Sequence, residues 1–267
     1  MPFWVLVASC VIIYGVVLVY ISNSASMLID RFGFTSSQAA LWYTTPYMIS
    51  AGASPFLGLL IDKVGKRAFF ITFASIMILL ACIITQLIPT SEPGKMQPLI
   101  FIPLILLGFG YSVYAAAMWG SVPYTCEPKQ IATAYGLCTA IQNIGMTISP
   151  LIGGALLGGT KKEDGYFWYL VYFELLGGIG LCLNLVLYFD DIKNRGGVLN
   201  RVDKVEELDE LMATPTVAKR DKAQQMREEL AAQGDDSTKA ALLNYKTDKA
   251  LRDSLRRSVG QQEIRNL

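Results

Sequence analysis

The chain has 267 residues, of which 52% are apolar and 17% are charged, and it contains no histidine. Its net charge of +1 argues against a nucleic-acid-binding surface. Without histidine, the Ser-His and Cys-His nucleophile pairs and the histidine zinc motifs cannot be built. The five cysteines are scattered without a C-x-x-C pair, which argues against a zinc site or a disulfide framework. We therefore expect no enzyme, no metal and no cofactor.

The charged residues are distributed unevenly along the chain. Residues 191–267 contain 15 of the 23 Lys/Arg residues and 14 of the 22 Asp/Glu residues. The first 190 residues hold more apolar surface than a soluble domain of that size can hide. This distribution predicts a membrane domain over residues 1–190 and a charged cytosolic tail over residues 191–267, partly disordered or marginally helical.

The first apolar run, residues 3–21, is long enough to cross a bilayer at about 1.5 Å per residue. It has no Lys or Arg before its apolar stretch and exceeds the length of a signal core, so we interpret it as a retained span. Thr35 and Gln38 have the capping-box spacing, which predicts the start of the next helix. That second span is predicted over residues 37–61, with Pro46 and Pro55 tolerated inside it.

Four further apolar runs predict spans over residues 68–88, 99–122, 131–158 and 167–189. The predicted fold class is thus an all-α membrane protein with six transmembrane helices and a polar tail. Eight Lys or Arg residues near the spans lie on the side of the N-terminus and four lie on the opposite side. By the positive-inside rule, this difference predicts that both termini are cytosolic.

The loop between the second and third spans carries the ordered set Gly-x-x-x-Asp-Lys-x-Gly-Lys-Arg. Gly58 and Asp62 lie one helical turn apart, where a neighbouring helix can come close, and Lys66 and Arg67 are expected at the lipid headgroups. The cations alone also fit an ordinary cytoplasmic loop. The full set resembles the loop signature of the major facilitator superfamily. This resemblance implies a gating motif that stabilises one access state, made of Gly58, Asp62, Lys63, Gly65, Lys66 and Arg67.

Polar side chains inside the spans suggest a substrate cavity, because such groups are costly in a membrane and tend to face the bundle interior. Each could instead bridge two helices or anchor a helix end at the interface. Glu174, the only acid well inside a span, is a possible proton site, or it snorkels to the end of its helix. The candidate substrate-binding residues are Tyr43, Tyr47, Tyr114, Trp119, Tyr135, Thr139, Gln142 and Asn143.

The fourth and fifth spans carry a closer resemblance. Gly110-Tyr111-Ser112, Ala117-Met118-Trp119 and Ile141-Gln142-Asn143-Ile144-Gly145 resemble the C-terminal half of the lysosomal dipeptide transporter branch of the facilitators. The resemblance covers about residues 1–200. It implies uniport of dipeptides from lysosome to cytosol by alternating access, and a glycosylated accessory membrane protein as partner. It also makes Trp119, Gln142 and Asn143 the strongest cavity candidates.

A facilitator has twelve helices in two halves, with its site at the interface between them. This sequence accounts for one half. We expect either that it is a truncated product or gene model or that it assembles with an N-terminal half or a second copy of itself. The alternative function is a non-transporting membrane scaffold or accessory subunit built on the same six helices.

Overall fold

The computed structural model describes residues 2–158, 162–200 and 228, without the side chains of residues 128 and 162–164. Nearly all of the predicted tail therefore lies outside the described residues. The described part contains no strand, which confirms the all-α class. Its α-helices are α1 (Pro2–Asp30), α2 (Ser36–Trp42), α3 (Thr45–Val64), α4 (Arg67–Leu87), α5 (Phe101–Ser121), α6 (Ile131–Gly158) and α7 (Lys162–Asn194).

Five stretches are long and apolar enough to cross a membrane, namely Pro2–Asp30, Arg67–Leu87, Pro98–Thr125, Ile131–Gly158 and Gly165–Asn194. The remaining long helix, α3, has 20 residues and carries the charged residues Asp62 and Lys63 in its last turn. With the short α2, it occupies the place of the second predicted span.

The prediction of one continuous helix over residues 37–61 is wrong. The chain leaves α2 at Tyr43 and starts α3 after Thr44, with Pro46 in the first turn of α3. Proline has no N–H to continue the hydrogen bonds of a preceding helix, but its fixed φ suits the first turn of a new one. The predicted capping box is present, since Thr35 Oγ1 accepts from the Gln38 N–H and Gln38 Oε1 accepts from the Thr35 N–H.

Helix α1 continues nine residues past the end of the predicted span at residue 21. Polar side chains beyond that point donate hydrogen bonds to backbone carbonyl groups of the same helix. Ser22 Oγ donates to the Leu18 carbonyl at 2.6 Å, and Asn23 Nδ2 donates to the Val19 carbonyl at 3.1 Å. Because these side chains satisfy themselves locally, they do not end the helix.

The helices pack in two layers. Helices α5 and α1 lie between α3 and α6 in the front layer, and α4 and α7 lie behind them. Helix α3 packs on α5, whereas α6 packs on both α1 and α7. The front layer leaves apolar side chains exposed on both outer helices, and we call this side the open face. Its exposed residues include Met48, Phe56 and Leu59 on α3, and Ile144 and Leu151 on α6.

Helix α6 comes close to α1 at Gly145. A methyl group at this position would collide with Cγ1 of Val11. The missing side chain therefore sets the distance between two front-layer helices.

Candidate functional site

Trp119, near the end of α5, lies where α5, α1 and α6 meet. Its indole Nε1 donates to the Tyr14 hydroxyl at 2.7 Å. Its ring is stacked on Tyr135, with ring centroids 6.0 Å apart and planes 17° from parallel. The Tyr135 hydroxyl donates to the Trp119 carbonyl at 3.0 Å. Contacts from two neighbouring helices therefore fix the indole, and they bring together two predicted residues and Tyr14, which the sequence did not single out.

Further tyrosines extend this group across the open face. Tyr14 packs edge-on against Tyr111, with ring centroids 5.7 Å apart. Tyr111 is close enough to Tyr47 for their hydroxyls to interact electrostatically, and Tyr47 is similarly close to Tyr43. These side chains bring aromatic rings and hydroxyl groups from α3, α5, α1 and α6 into one region of the bundle. We call it the aromatic cluster, made of Tyr14, Tyr43, Tyr47, Tyr111, Trp119 and Tyr135.

Tyr114 belongs to the core rather than to this cluster. It is fully buried, and its hydroxyl lies 2.7 Å from Ser9 Oγ. Ser9 Oγ donates to Asn184 Oδ1 at 2.5 Å, Asn184 Nδ2 donates to Ser75 Oγ at 2.6 Å, and Ser75 Oγ donates to the Ile71 carbonyl at 2.9 Å. This chain ties α5 and α1 to the back helices α7 and α4. It corrects the prediction of Tyr114 as a substrate contact, because the protein encloses both its ring and its hydroxyl.

The packing separates the predicted polar residues of α6. Gln142 is buried, with Nε2 3.8 Å from Met146 Sδ. Thr139 and Asn143 are exposed, and Thr139 Oγ1 donates to the Tyr135 carbonyl of its own helix at 2.9 Å. Gln142 therefore faces the bundle while its two polar neighbours face outward.

Glu174 lies apart from the aromatic cluster. It is half-buried on the back helix α7, within electrostatic range of Cys82 on α4. The structure thus separates the possible proton site from the candidate substrate residues by one layer of helices.

The loop that carries the predicted gating motif makes a tight turn between α3 and α4, and we call it the gating loop. Gly65 and Lys66 both have positive φ, at 69° and 53°. Arg67 follows as the first residue of α4. Its side chain is only 3% exposed, with the guanidinium 4.5 Å from the centre of the Tyr124 ring and Nη2 3.4 Å from Asp62 Oδ1. The expectation that Arg67 lies at the headgroups is therefore wrong, because the connection between α5 and α6 covers it.

Asp62 and Lys63 of the motif remain at the surface, whereas Gly65 is buried and Lys66 is half-buried. Asp62 has a side chain that is 62% exposed, and Lys63 is also exposed. A Cβ added to Gly58 would meet nothing within 4 Å. Among the described residues, no helix makes the close approach expected at Gly58, so that side of α3 is free to receive another helix.

A further element of this end of the bundle is the return segment, residues 195–200, which folds back after α7. Asp191 is fully buried. Its carboxylate accepts from the Leu199 N–H at 3.1 and 3.2 Å and from Asn200 Nδ2 at 3.2 Å, and it lies 3.8 Å from Arg195 Nη1. One carboxylate thus holds both ends of the segment.

The return segment connects the last helix to the gating loop. The Lys66 N–H donates to the Asn200 carbonyl at 3.4 Å, and Arg195 Nη2 donates to the Tyr124 carbonyl at 2.6 Å. This connection was not predicted from the sequence. The available signal was the pair Gly196-Gly197, whose positive φ values of 65° and 74° turn the chain back.

A membrane bundle with an aromatic, hydroxyl-bearing surface and a charged loop at one end has the features of a membrane transport protein. Residues 5–244 match the Major Facilitator Superfamily, so the chain belongs to this family of transporters. It is accordingly a multi-pass membrane protein of a transporter family rather than of an enzyme family.

Several curated relatives carry the name lysosomal dipeptide transporter MFSD1. The chain is 31% identical to that of Danio rerio over 195 residues, covering 73% of this chain and 40% of the relative. It is 31% identical to that of Homo sapiens over 200 residues, with 75% and 40% covered, and 30% identical to that of Gallus gallus over 210 residues, with 79% and 45% covered. These similarities support the MFSD1 branch. The chain spans less than half the length of these relatives.

Proposed function

We propose that this chain is the C-terminal six-helix half of a transporter that moves dipeptides out of the lysosome as a uniporter. The observation that carries the proposal is the position of the aromatic cluster between two outer helices with exposed apolar sides. A facilitator site lies at the interface of two halves, and a second half placed on the open face would complete such a site. The dipeptide substrate is taken from the names of the relatives.

The cluster suits the uncharged parts of a dipeptide. Its tyrosines offer hydroxyl groups, and Trp119 offers an indole face that its contacts with Tyr14 and Tyr135 hold in place. Aromatic walls with a few placed polar groups are typical of small-molecule sites. The six residues of the cluster carry no charge, so the opposing half would supply the groups that bind the ammonium and the carboxylate.

The gating loop contains an ion pair, Asp62 and Arg67, that can form and break. The Asp62 carboxylate is 62% exposed and its contact with Arg67 is long, at 3.4 Å, so water can replace this contact and it can break in each transport cycle. Arg67 would stay on the Tyr124 ring while Asp62, at the edge of the open face, exchanges partners. In this mechanism the motif stabilises one access state.

The proposal includes the cellular setting. The bundle lies in the lysosomal membrane with both termini in the cytosol. It assembles with an N-terminal half or with a second copy of itself, and it has a glycosylated accessory membrane protein as a further partner. The support for these assignments is the charge asymmetry of the loops and the similarity to the lysosomal relatives.

Transport in liposomes tests the proposal. The chain would be reconstituted alone and together with the N-terminal half of an MFSD1 relative, and uptake of a radiolabelled dipeptide would be measured. We expect uptake only with both halves, and a loss of uptake in Trp119→Ala. Trp4→Ala is the matched control, since Trp4 is an exposed tryptophan at the start of α1.

If the two halves form a stable complex that moves no dipeptide, the result would favour the scaffold or accessory subunit. Uptake by the chain alone would contradict the need for a second half.

A further inference from the structure

Three hydrogen-bond donors near Trp119 are used within the protein. The indole N–H is taken by the Tyr14 oxygen, and the Tyr135 hydroxyl proton is taken by the Trp119 carbonyl. The Tyr114 hydroxyl must donate to Ser9, because the only proton of Ser9 Oγ already goes to Asn184. None of these three donors is available to a ligand in this arrangement.

Tyr14 is different. Its oxygen accepts from the Trp119 indole, and among the hydrogen bonds of the described residues none takes its own proton. Accepting a hydrogen bond polarises a hydroxyl and strengthens it as a donor. The occupied oxygen is at the same time a poorer acceptor for a ligand ammonium. The Tyr14 hydroxyl is therefore a good hydrogen-bond donor to a ligand and a poor hydrogen-bond acceptor from it.

The Tyr14 ring is also held in a defined position. It is 5% exposed, and it packs edge-on against Tyr111, Tyr114 and Trp119, with ring centroids 5.7, 6.0 and 6.4 Å away. Tyr111 and Trp119 are themselves only half-buried. Tyr14 thus lies at the base of the aromatic cluster, and a rigid donor costs little ordering entropy on binding.

We propose that Tyr14 is a ligand-binding residue whose hydroxyl donates to a carbonyl or carboxylate oxygen of the transported molecule, with Trp119 as its positioning residue. This inference rests on the proposed function and adds a specificity element to it. The site would select ligands by an acceptor oxygen at one defined point. Trp119 would contribute through its N–H to Tyr14 as well as through its ring.

The test uses the variant Tyr14→Phe, which removes only the hydroxyl, in the chain reconstituted with an N-terminal half. Affinity would be measured for a dipeptide, for its thioamide, which weakens the amide acceptor, and for the aminoacyl ethylamide, which lacks the carboxylate. We expect about a tenfold loss of affinity for the dipeptide, the usual effect of removing one hydrogen bond to a bound group. The loss should shrink to about twofold or less for whichever analogue lacks the oxygen that Tyr14 contacts.

Two further variants separate a binding role from a structural one. Trp119→Phe removes the indole N–H, and we expect a loss of affinity that depends on the analogue in the same pattern as for Tyr14→Phe. Tyr20→Phe is the matched control on the same helix, because Tyr20 is fully buried and its hydroxyl bonds to Thr85 at 2.6 Å. This control should change stability and leave affinity unchanged.

The possible outcomes are distinct. An equal loss for all three ligands, or no loss for any, would overturn the role of Tyr14 while leaving the transporter proposal intact. If the wild-type pair binds none of the three ligands, the proposed function fails and this inference fails with it.

Discussion

The guanidinium of Arg67 lies 4.5 Å from the centre of the Tyr124 ring, so the basic residue of the gating loop is anchored to the connection between α5 and α6. The side chain of its acidic partner Asp62 is mostly exposed, and Asp62 Oδ1 lies 3.4 Å from Arg67 Nη2. The two members of this ion pair therefore differ in their surroundings, since Arg67 is buried against Tyr124 and Asp62 is exposed.

Arg67 and Asp62 should respond differently to substitution. Arg67→Gln removes a buried cation–ring contact, for which we expect a loss of about 1–2 kcal/mol in stability and a lower thermal midpoint in detergent. Asp62→Asn should cost less than about 1 kcal/mol but shift the access equilibrium. The shift would be measured by labelling Thr139→Cys from each side of the membrane, in a background without Cys126 and Cys182. Failure of Asp62→Asn to insert into the membrane would contradict a gating role.

Asn184 should be the most sensitive polar residue of the back layer. Asn184→Leu removes the side-chain partner of Ser75 and one of the two side-chain partners of Ser9, and an unsatisfied buried group costs about 1–3 kcal/mol. We expect a clear drop in the thermal midpoint. The matched control is Asn194→Leu, an exposed asparagine on the same helix, which should stay within about 0.5 kcal/mol. Equal midpoints for the two variants would rule out a structural role for the chain of hydrogen bonds.

Asp191→Asn should release the return segment. The variant keeps the shape of the side chain but replaces one acceptor oxygen of a buried carboxylate that holds Leu199 and Asn200. We expect trypsin to cleave after Arg195 about tenfold faster, corresponding to about 1.4 kcal/mol in local opening. Asp190→Asn is the control, because the Asp190 carboxylate accepts a hydrogen bond from the exposed Asn194 side chain at 2.8 Å. Indistinguishable cleavage rates would show that Asp191 does not hold the segment.

Gly145→Ala should separate α6 from α1. The added methyl group meets Cγ1 of Val11, a β-branched side chain with little rotamer freedom in a helix, and we expect a loss of about 1–3 kcal/mol. Gly154→Ala is the control, since a Cβ there meets nothing within 4 Å and alanine favours a helix by up to about 1 kcal/mol. The Val11→Ala, Gly145→Ala double variant should recover most of the loss. A Gly145→Ala protein as stable as Gly154→Ala would contradict this packing.

The sequence predicted the helical class because the length of an apolar run is a direct requirement of the bilayer. It could not predict the break at Tyr43 and Thr44, since proline inside a membrane span can kink a helix or start a new one. The extension of α1 was missed for a related reason. Serine and asparagine at the end of an apolar run suggest a loop until their hydrogen bonds to the helix are seen.

For the candidate site, the sequence singled out Trp119 and Tyr135, which the structure brings together. Tyr14 escaped attention because α1 is apolar around most of its circumference, so no pattern marks the face that meets α5. Tyr114 was chosen for its chemistry, and only packing shows that its hydroxyl is used inside the core. The contact of Arg67 with Tyr124 joins residues that are 57 positions apart, which local spacing does not reveal.

The hydrogen bond from the Lys66 N–H to the Asn200 carbonyl has a practical consequence for protein engineering. A fluorescent protein or affinity tag fused directly after Asn200 would pull on the backbone of the turn between α3 and α4. Such a fusion is expected to bias the transporter toward one state and distort measured kinetics. Reporters placed at the far end of the tail, after a flexible spacer, would leave the turn undisturbed.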